Sequence, residues 1–168
     1  DANLTHVKSV VMDKITGKNI AITGAARGIG YATATALLRR GARVVIGARR
    51  VERLAALADE LGDVALAVAM DVTDEASIIA AYDAAEARWG TVDTVIANAG
   101  IAKAGRSTDL PLSDIAAVVD TNFTGLYLTA REGAKRMIAA GFRESEQGRI
   151  VLIGSITAEM TGNGETAY

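Results

Sequence analysis

Short apolar runs rich in β-branched residues alternate along this chain with longer stretches of helical spacing, and that alternation restricts the fold more than any other property of the sequence. The runs fall near residues 19–23, 43–47, 64–70, 92–97 and 149–153, and their near-continuous apolar character suits strands buried on both faces. Between them, Ile29, Ala32, Thr33, Ala36 and Leu37 form one helical stripe, Val51, Leu54, Ala55, Ala58 and Leu61 a second, and Ile78, Ala81, Tyr82, Ala85 and Trp89 a third. Element ends agree with this reading: Asp74 is placed to cap the third helix, and Gly41, Gly62 and Gly90 follow helix ends. A strict β, α, β, α order predicts right-handed crossovers, a parallel sheet and helices on both of its faces.

After the fourth strand the pattern changes. A polar loop over residues 103–109 leads through Pro111 and an expected Ser113 cap into two helical stretches, about 113–122 and 124–140. Residues 141–148 read as a solvated surface loop. The chain has 168 residues, 50% hydrophobic and 23% charged, enough for one core and one domain over 1–168, with 1–16 as an N-terminal arm. No cysteine is present and His6 is the single histidine, so no metal site is expected. The longest apolar run falls far short of the roughly 18 residues a bilayer span requires. The formal charge of −2 comes without a basic stripe. Neither a membrane nor a nucleic acid is an expected partner, and the expected location is the cytoplasm. The first residue is Asp1 and the last, Tyr168, closely follows a glycine-containing run, so a fragment or the ordered part of a longer chain is expected.

The first strand runs directly into Thr23, Gly24, Ala25, Ala26, Arg27, Gly28, Ile29 and Gly30, and then into a helix. In that context Gly24 can take the positive φ of a tight turn, Gly28 lets backbone approach a pyrophosphate, and Gly30 lets the helix lie close on the sheet. The helix N-terminus offers unpaired N–H groups and partial positive charge to an anion. An ordinary glycine-rich turn between strand and helix is the competing reading.

Further features then fall in order at element ends: Asp71 and Val72 after the third strand, Asn98, Ala99 and Gly100 after the fourth, Asn122 between the paired helices, and Ser155 after the fifth, thirteen residues before Tyr168. Together with the glycine turn, this set resembles the common type of short-chain dehydrogenase/reductase from Lys18 to Tyr168. The resemblance implies a Rossmann-type, doubly wound three-layer α/β/α fold, here without the family's last helix and strands. It further implies that Asp71 bonds the adenine amino group while Val72 packs on the ring, and that residues 98–100 support the central sheet and face the cofactor. A helix-capping Asp71 and a plain strand-ending turn at Asn98 are the structural alternatives.

The end of the second strand bears on the choice of cofactor. An NAD-preferring member of such a family carries an acidic residue there to bond the ribose hydroxyls. Ala48 occupies that position, Arg49 follows, and Arg27 precedes Gly28, so two guanidinium groups can converge on a 2′-phosphate. NADP is the expected cofactor, with NAD as the alternative; the competing reading has Arg49 and Arg50 merely decorating the second helix.

Hydride transfer to a ketone leaves an alkoxide in need of a proton, and the reverse reaction needs a base. The resemblance gives both tasks to Tyr168. A free phenol has a pKa of about 10, so roughly one in a thousand is ionised at pH 7 unless a cation lies nearby. In the family that cation is a lysine one helical turn after the tyrosine, a position this sequence does not reach. Ser155 would hold the substrate oxygen, and Asn122 would resemble the asparagine that anchors a water to the lysine, with a helix-breaking asparagine as its alternative. The expected activity is NADP-dependent interconversion of a secondary alcohol and a ketone, or reduction of a 3-oxo group, on a small molecule. A dinucleotide-binding regulator, or an inactive truncated chain, is the contrasting reading. The helix near 124–140 presents Leu126, Ala130, Ala134 and Met137 on one face; such a helix builds oligomers in the family, which suggests a homodimer or homotetramer, although internal packing would use the same face.

Overall fold

The computed structural model describes residues 14–50 and 52–155. Five strands, β1 (Asn19–Thr23), β2 (Arg43–Ala48), β3 (Ala65–Ala69), β4 (Thr94–Ala97) and β5 (Arg149–Leu152), form one sheet in the order β3-β2-β1-β4-β5. Every pairing is parallel, with Ile20 opposite Val44 on one side and Thr94 on the other. Helices α1 (Gly28–Leu38), α2 (Glu52–Leu61), α3 (Glu75–Trp89), α4 (Leu112–Val119), α5 (Leu126–Ala139) and α6 (Phe142–Ser145) accompany it, with a short 3-10 turn over Gly62–Val64.

Side chains along each central strand alternate between two cores. Ile20, Ile22, Val44 and Ile46 meet Ala34 and Leu38 of α1 and Leu54 of α2 on one face. Ala21, Val45, Val68 and Val95 meet Ile78, Ala81, Tyr82 and Ala85 of α3 and Met137 of α5 on the other. The apolar runs therefore lack polar alternation because both faces of the sheet are covered. The result is the three-layer α/β/α arrangement expected from the alternation of elements. Strand β5 forms one edge, with Ile150, Val151 and Leu152 exposed.

Local chemistry fixes most boundaries. Asp74 accepts the Ala76 N–H as the cap of α3, and Gly41, Gly62 and Gly90 take positive φ after helix ends. Strand β4 starts two residues later than the apolar run because the buried Asp93 carboxylate accepts the Asn19 N–H and the Thr94 hydroxyl, tying the strand entrances together. Other details depart from the sequence reading. The buried face of α1 is Gly30, Ala34 and Leu38, with Ile29 and Ala32 of the expected stripe exposed. Ser113 is not a cap: α4 begins at Leu112 behind an extended Pro111, whose fixed φ suits helix entry. The two helical stretches are not separated, since a π-helical segment, Asp120–Gly125, joins α4 to α5. Within 141–148 the chain forms the short helix α6 between two left-handed residues, Gly141 and Glu146.

Helices α3 and α5 are fastened by charge. Arg136 reaches Glu132, Glu86 and Asp83, each at 2.7 Å, and its guanidinium carbon lies 5.5 Å from the Tyr82 ring centre. Tyr82 donates its buried hydroxyl to the Thr129 carbonyl at 3.0 Å. Burial pushes the Tyr82 phenol well above its ordinary range, with the Glu132 charge acting in the same direction. No described helix is long and apolar enough to cross a membrane.

Candidate functional site

The strand order reverses direction at β1, with the chain moving outward to β2 and β3 on one side and to β4 and β5 on the other. Loops leaving the carboxyl ends of β1 and β4 therefore diverge, and a crevice opens between them. A cleft of about 460 Å³ occupies this place, within the usual range for small-molecule sites. Its walls come from the β1–α1 turn, the ends of β2, β3 and β4, and Thr121 of the π-helical segment.

The turn is built by its glycines. Gly24 has φ +68°, and a Cβ on it would lie 2.8 Å from the Ala99 Cα. Gly28 has φ +59° and open space where a side chain would project, so its backbone borders the cleft directly. Gly30 lies behind the cleft, where a Cβ would meet Gly24 O and Asn98 Nδ2 at 2.6 Å, and its bareness lets α1 approach the sheet.

Thr23 also lies behind the cleft. Its buried hydroxyl accepts the N–H groups of both Asn98 and Ala99 at 3.0 Å, and the Asn98 amide donates to the Thr23 carbonyl at 2.9 Å. These bonds hold the diverging ends of β1 and β4 together where the ladder can no longer do so. Asn98, Ala99 and Gly100 line the cleft in front of them.

Arg27, Arg49 and Arg50 are exposed at the cleft wall beside a buried Ala48, and none of the three forms an ion pair within 4 Å among the described residues. Asp71 and the buried Val72 face the same space. The Asp71 carboxylate does not cap α3; one of its oxygens accepts the Thr73 N–H at 3.0 Å and the Thr73 hydroxyl at 2.7 Å. Partial burial acts to raise the Asp71 pKa, but the two Thr73 donors and the Arg49 charge outweigh it and hold the carboxyl below its ordinary range.

Asn122 sits in the π-helical segment and clasps the backbone of Ile101, accepting its N–H at 2.9 Å and donating to its carbonyl at 2.8 Å. This pair of bonds fixes the loop leaving Gly100. Ser155, partly buried, follows β5 at the same carboxyl edge of the sheet. Tyr168 lies outside the described residues, as does most of the N-terminal arm with His6. No group of three or more histidine, cysteine, aspartate and glutamate side chains among the described residues is arranged to hold a metal.

Thus Gly24, Arg27, Gly28, Ile29, Arg49, Asp71, Val72, Asn98, Ala99 and Gly100 come together around one cleft, whereas Thr23 and Gly30 shape it from behind. Ala26, Met70, Ile101 and Thr121 also line it and were not singled out from the sequence. Their signal was positional: each lies within a residue or two of a motif already identified.

A family model described as short chain dehydrogenase matches residues 18–168. Among curated relatives, oxidoreductase UcpA of Escherichia coli (strain K12) is 37% identical over 94% of this chain. The cis-4-hydroxycyclohexanecarboxylate dehydrogenase of Sinomonas cyclohexanicum is 40% identical over 88% of it. The chain spans 59% and 58% of the lengths of these two proteins. The structure of a 3-ketoacyl-(acyl-carrier-protein) reductase from Brucella melitensis complexed with NADH superimposes with a TM-score of 0.86 at 32% identity, covering 92% of this chain and 64% of that one. The closed form of serine dehydrogenase complexed with NADP+ gives a TM-score of 0.81 at 30% identity, covering 89% and 59%.

Proposed function

This chain belongs to the short-chain dehydrogenase family, and from that premise we propose that it is an NADP-dependent oxidoreductase interconverting a secondary alcohol and a ketone, or reducing a 3-oxo group. The observation that carries the reading is the cleft over the β1–β4 junction, walled by the glycine turn, three arginines that form no ion pair within 4 Å among the described residues, and an alanine at position 48. Its features suit a dinucleotide. Gly28 leaves backbone bare where α1 begins, and the first N–H groups of that helix are suited to a pyrophosphate. Asp71 and Val72 suit the adenine end. Ala48 offers no carboxylate to repel a 2′-phosphate, and Arg49 with Arg27 can bond one through charge-assisted contacts.

When bound, the dinucleotide would supply the hydride in reduction and accept it in oxidation. The chain's own task is orientation and proton movement. Thr23 and Asn98 keep the crevice open at a fixed width, and Asn122 holds the loop at Ile101. In this reading Ser155 donates to the substrate oxygen, and the Tyr168 hydroxyl gives that oxygen its proton in reduction, while the Tyr168 phenolate takes it in oxidation. The names of the Sinomonas dehydrogenase and the Brucella reductase accord with a hydroxyl and a ketone as the reacting groups.

The same reading includes a homodimer or homotetramer. Leu112, Val119, Phe123, Tyr127 and Ile138 are exposed at helical spacing along α4, the π-helical segment and α5, an apolar stripe suited to a second copy. Met137, by contrast, is buried in the sheet core. A cytoplasmic location also belongs to this reading.

Fluorescence titration with NADPH and NADH tests the proposal. NADPH should bind at least about tenfold more tightly, and Ala48→Asp should reverse that preference. In the active protein Tyr168→Phe should abolish turnover and leave NADPH binding unchanged. Failure to bind either dinucleotide removes the reading; equal affinities remove the NADP preference; full turnover in Tyr168→Phe removes the tyrosine from the chemistry.

A further inference from the structure

Gly125 ends the π-helical segment with φ −65° and ψ −39°, a conformation that alanine adopts readily. Glycine at this buried position therefore answers a demand for space rather than for backbone freedom. A Cβ here would lie 2.7 Å from Val72 Cγ2, 2.8 Å from the Val72 carbonyl and 3.0 Å from Val72 Cβ. Side-chain tips can rotate away from such a contact, but a carbonyl and a Cβ move only with the backbone. Val72 is itself 6% exposed and forms part of the cleft wall.

The segment has little freedom to retreat. The Thr129 hydroxyl donates to the Gly125 carbonyl at 2.7 Å, and the Thr129 carbonyl accepts from Tyr82 on α3. Asn122, three residues earlier, is clasped to Ile101. A side chain added at 125 would thus drive Val72 toward the cleft rather than push the helix outward.

We infer that Gly125 is a positioning residue for the dinucleotide, its missing side chain setting the width of the adenine slot through Val72. The inference rests on the proposed placement of adenine against Val72. It assigns to a residue that does not line the cleft a share of the binding affinity, localised at one end of the ligand.

Calorimetric titration of the purified protein with NADPH and with adenosine 2′,5′-bisphosphate, which carries the adenine end alone, tests it. In Gly125→Ala both dissociation constants should rise by the same factor, about fivefold or more. Thr129→Val removes the hydroxyl bond to the Gly125 carbonyl with little change of side-chain size, and should weaken both ligands by a smaller common factor, a second test should Gly125→Ala fold poorly. Unchanged affinities in a folded variant, or loss of NADPH affinity without loss for the bisphosphate, would each overturn the inference. If the unaltered protein binds neither ligand, the cofactor reading itself fails, an outcome distinct from a variant that binds as well as its parent.

Discussion

Replacing Arg136 with methionine separates a buried ionic network from a decorative one. Arg136 and Glu132 are 14% and 8% exposed, whereas Glu86 and Asp83 are 29% and 63% exposed. Without the guanidinium, the latter two carboxylates regain water and the cost concentrates on Glu132. Its remaining cation, Lys135, is 3.6 Å away and 75% exposed, so it compensates poorly. Removing one partner of a buried pair costs about 3–5 kcal/mol, and the partial exposure here favours the lower end, about 3 kcal/mol. For a domain of this size that corresponds to a fall in Tm of about 6–12 °C. Urea unfolding followed by far-UV circular dichroism measures it directly. Arg136→Met combined with Glu132→Leu should recover most of the loss, because the stranded charge has gone. A loss below about 1 kcal/mol for Arg136→Met alone, the scale of an exposed pair, would show that water already solvates Glu132 and would refute the argument.

Thr23→Val should cost about 2–3 kcal/mol in urea unfolding, because it strands the N–H groups of Asn98 and Ala99 where they are bonded to the Thr23 hydroxyl. Tyr82→Phe should cost about 1 kcal/mol at neutral pH through its lost bond to Thr129. Because the folded protein raises the Tyr82 pKa, the stability this provides is complete below the unfolded value of about 10 and falls as pH climbs above it; Tyr82→Phe should flatten that alkaline decline in equilibrium unfolding. The Asp71 pKa is lowered, so its contribution is present above the unfolded value of about 3.9 and is lost as pH falls below it. Asp71→Asn should accordingly be less stable than the parent at pH 7 and show a shallower acid limb in the same assay.

The layers were legible because burial on both faces of a parallel sheet writes continuous apolar runs such as Val44 to Ile46, and because the glycines after α1, α2 and α3 mark helix ends. The cleft was legible because a dinucleotide-type turn restricts both residue identity and spacing, as at Gly24, Gly28 and Gly30. The π-helical segment was not, since one wide turn leaves the apolar spacing of Val118, Val119 and Leu126 almost undisturbed. Ser113 resembled a cap, yet Pro111 had already fixed the entrance of α4. The Arg136 network joins residues some fifty positions apart, as in its bond to Glu86, and no local pattern records such a pairing. Thr121 and Met70 reach the cleft through the exit directions of their backbones, which sequence spacing does not specify.

The order of strands also bears on how the chain assembles. Ile20 meets Val44 across 24 residues, but reaches Thr94 across 74. Loop-closure entropy grows with the logarithm of length, so the second closure costs about 1 kcal/mol more than the first. The half of the sheet made by β1, β2 and β3 is therefore the less costly half to nucleate, and the junction with β4 is a later, long-range event. Since the crevice lies over that junction, the crevice itself takes shape only when β1 and β4 have met. A bound dinucleotide would act as a latch on that last closure, favouring the completed sheet over a chain folded only through its first half.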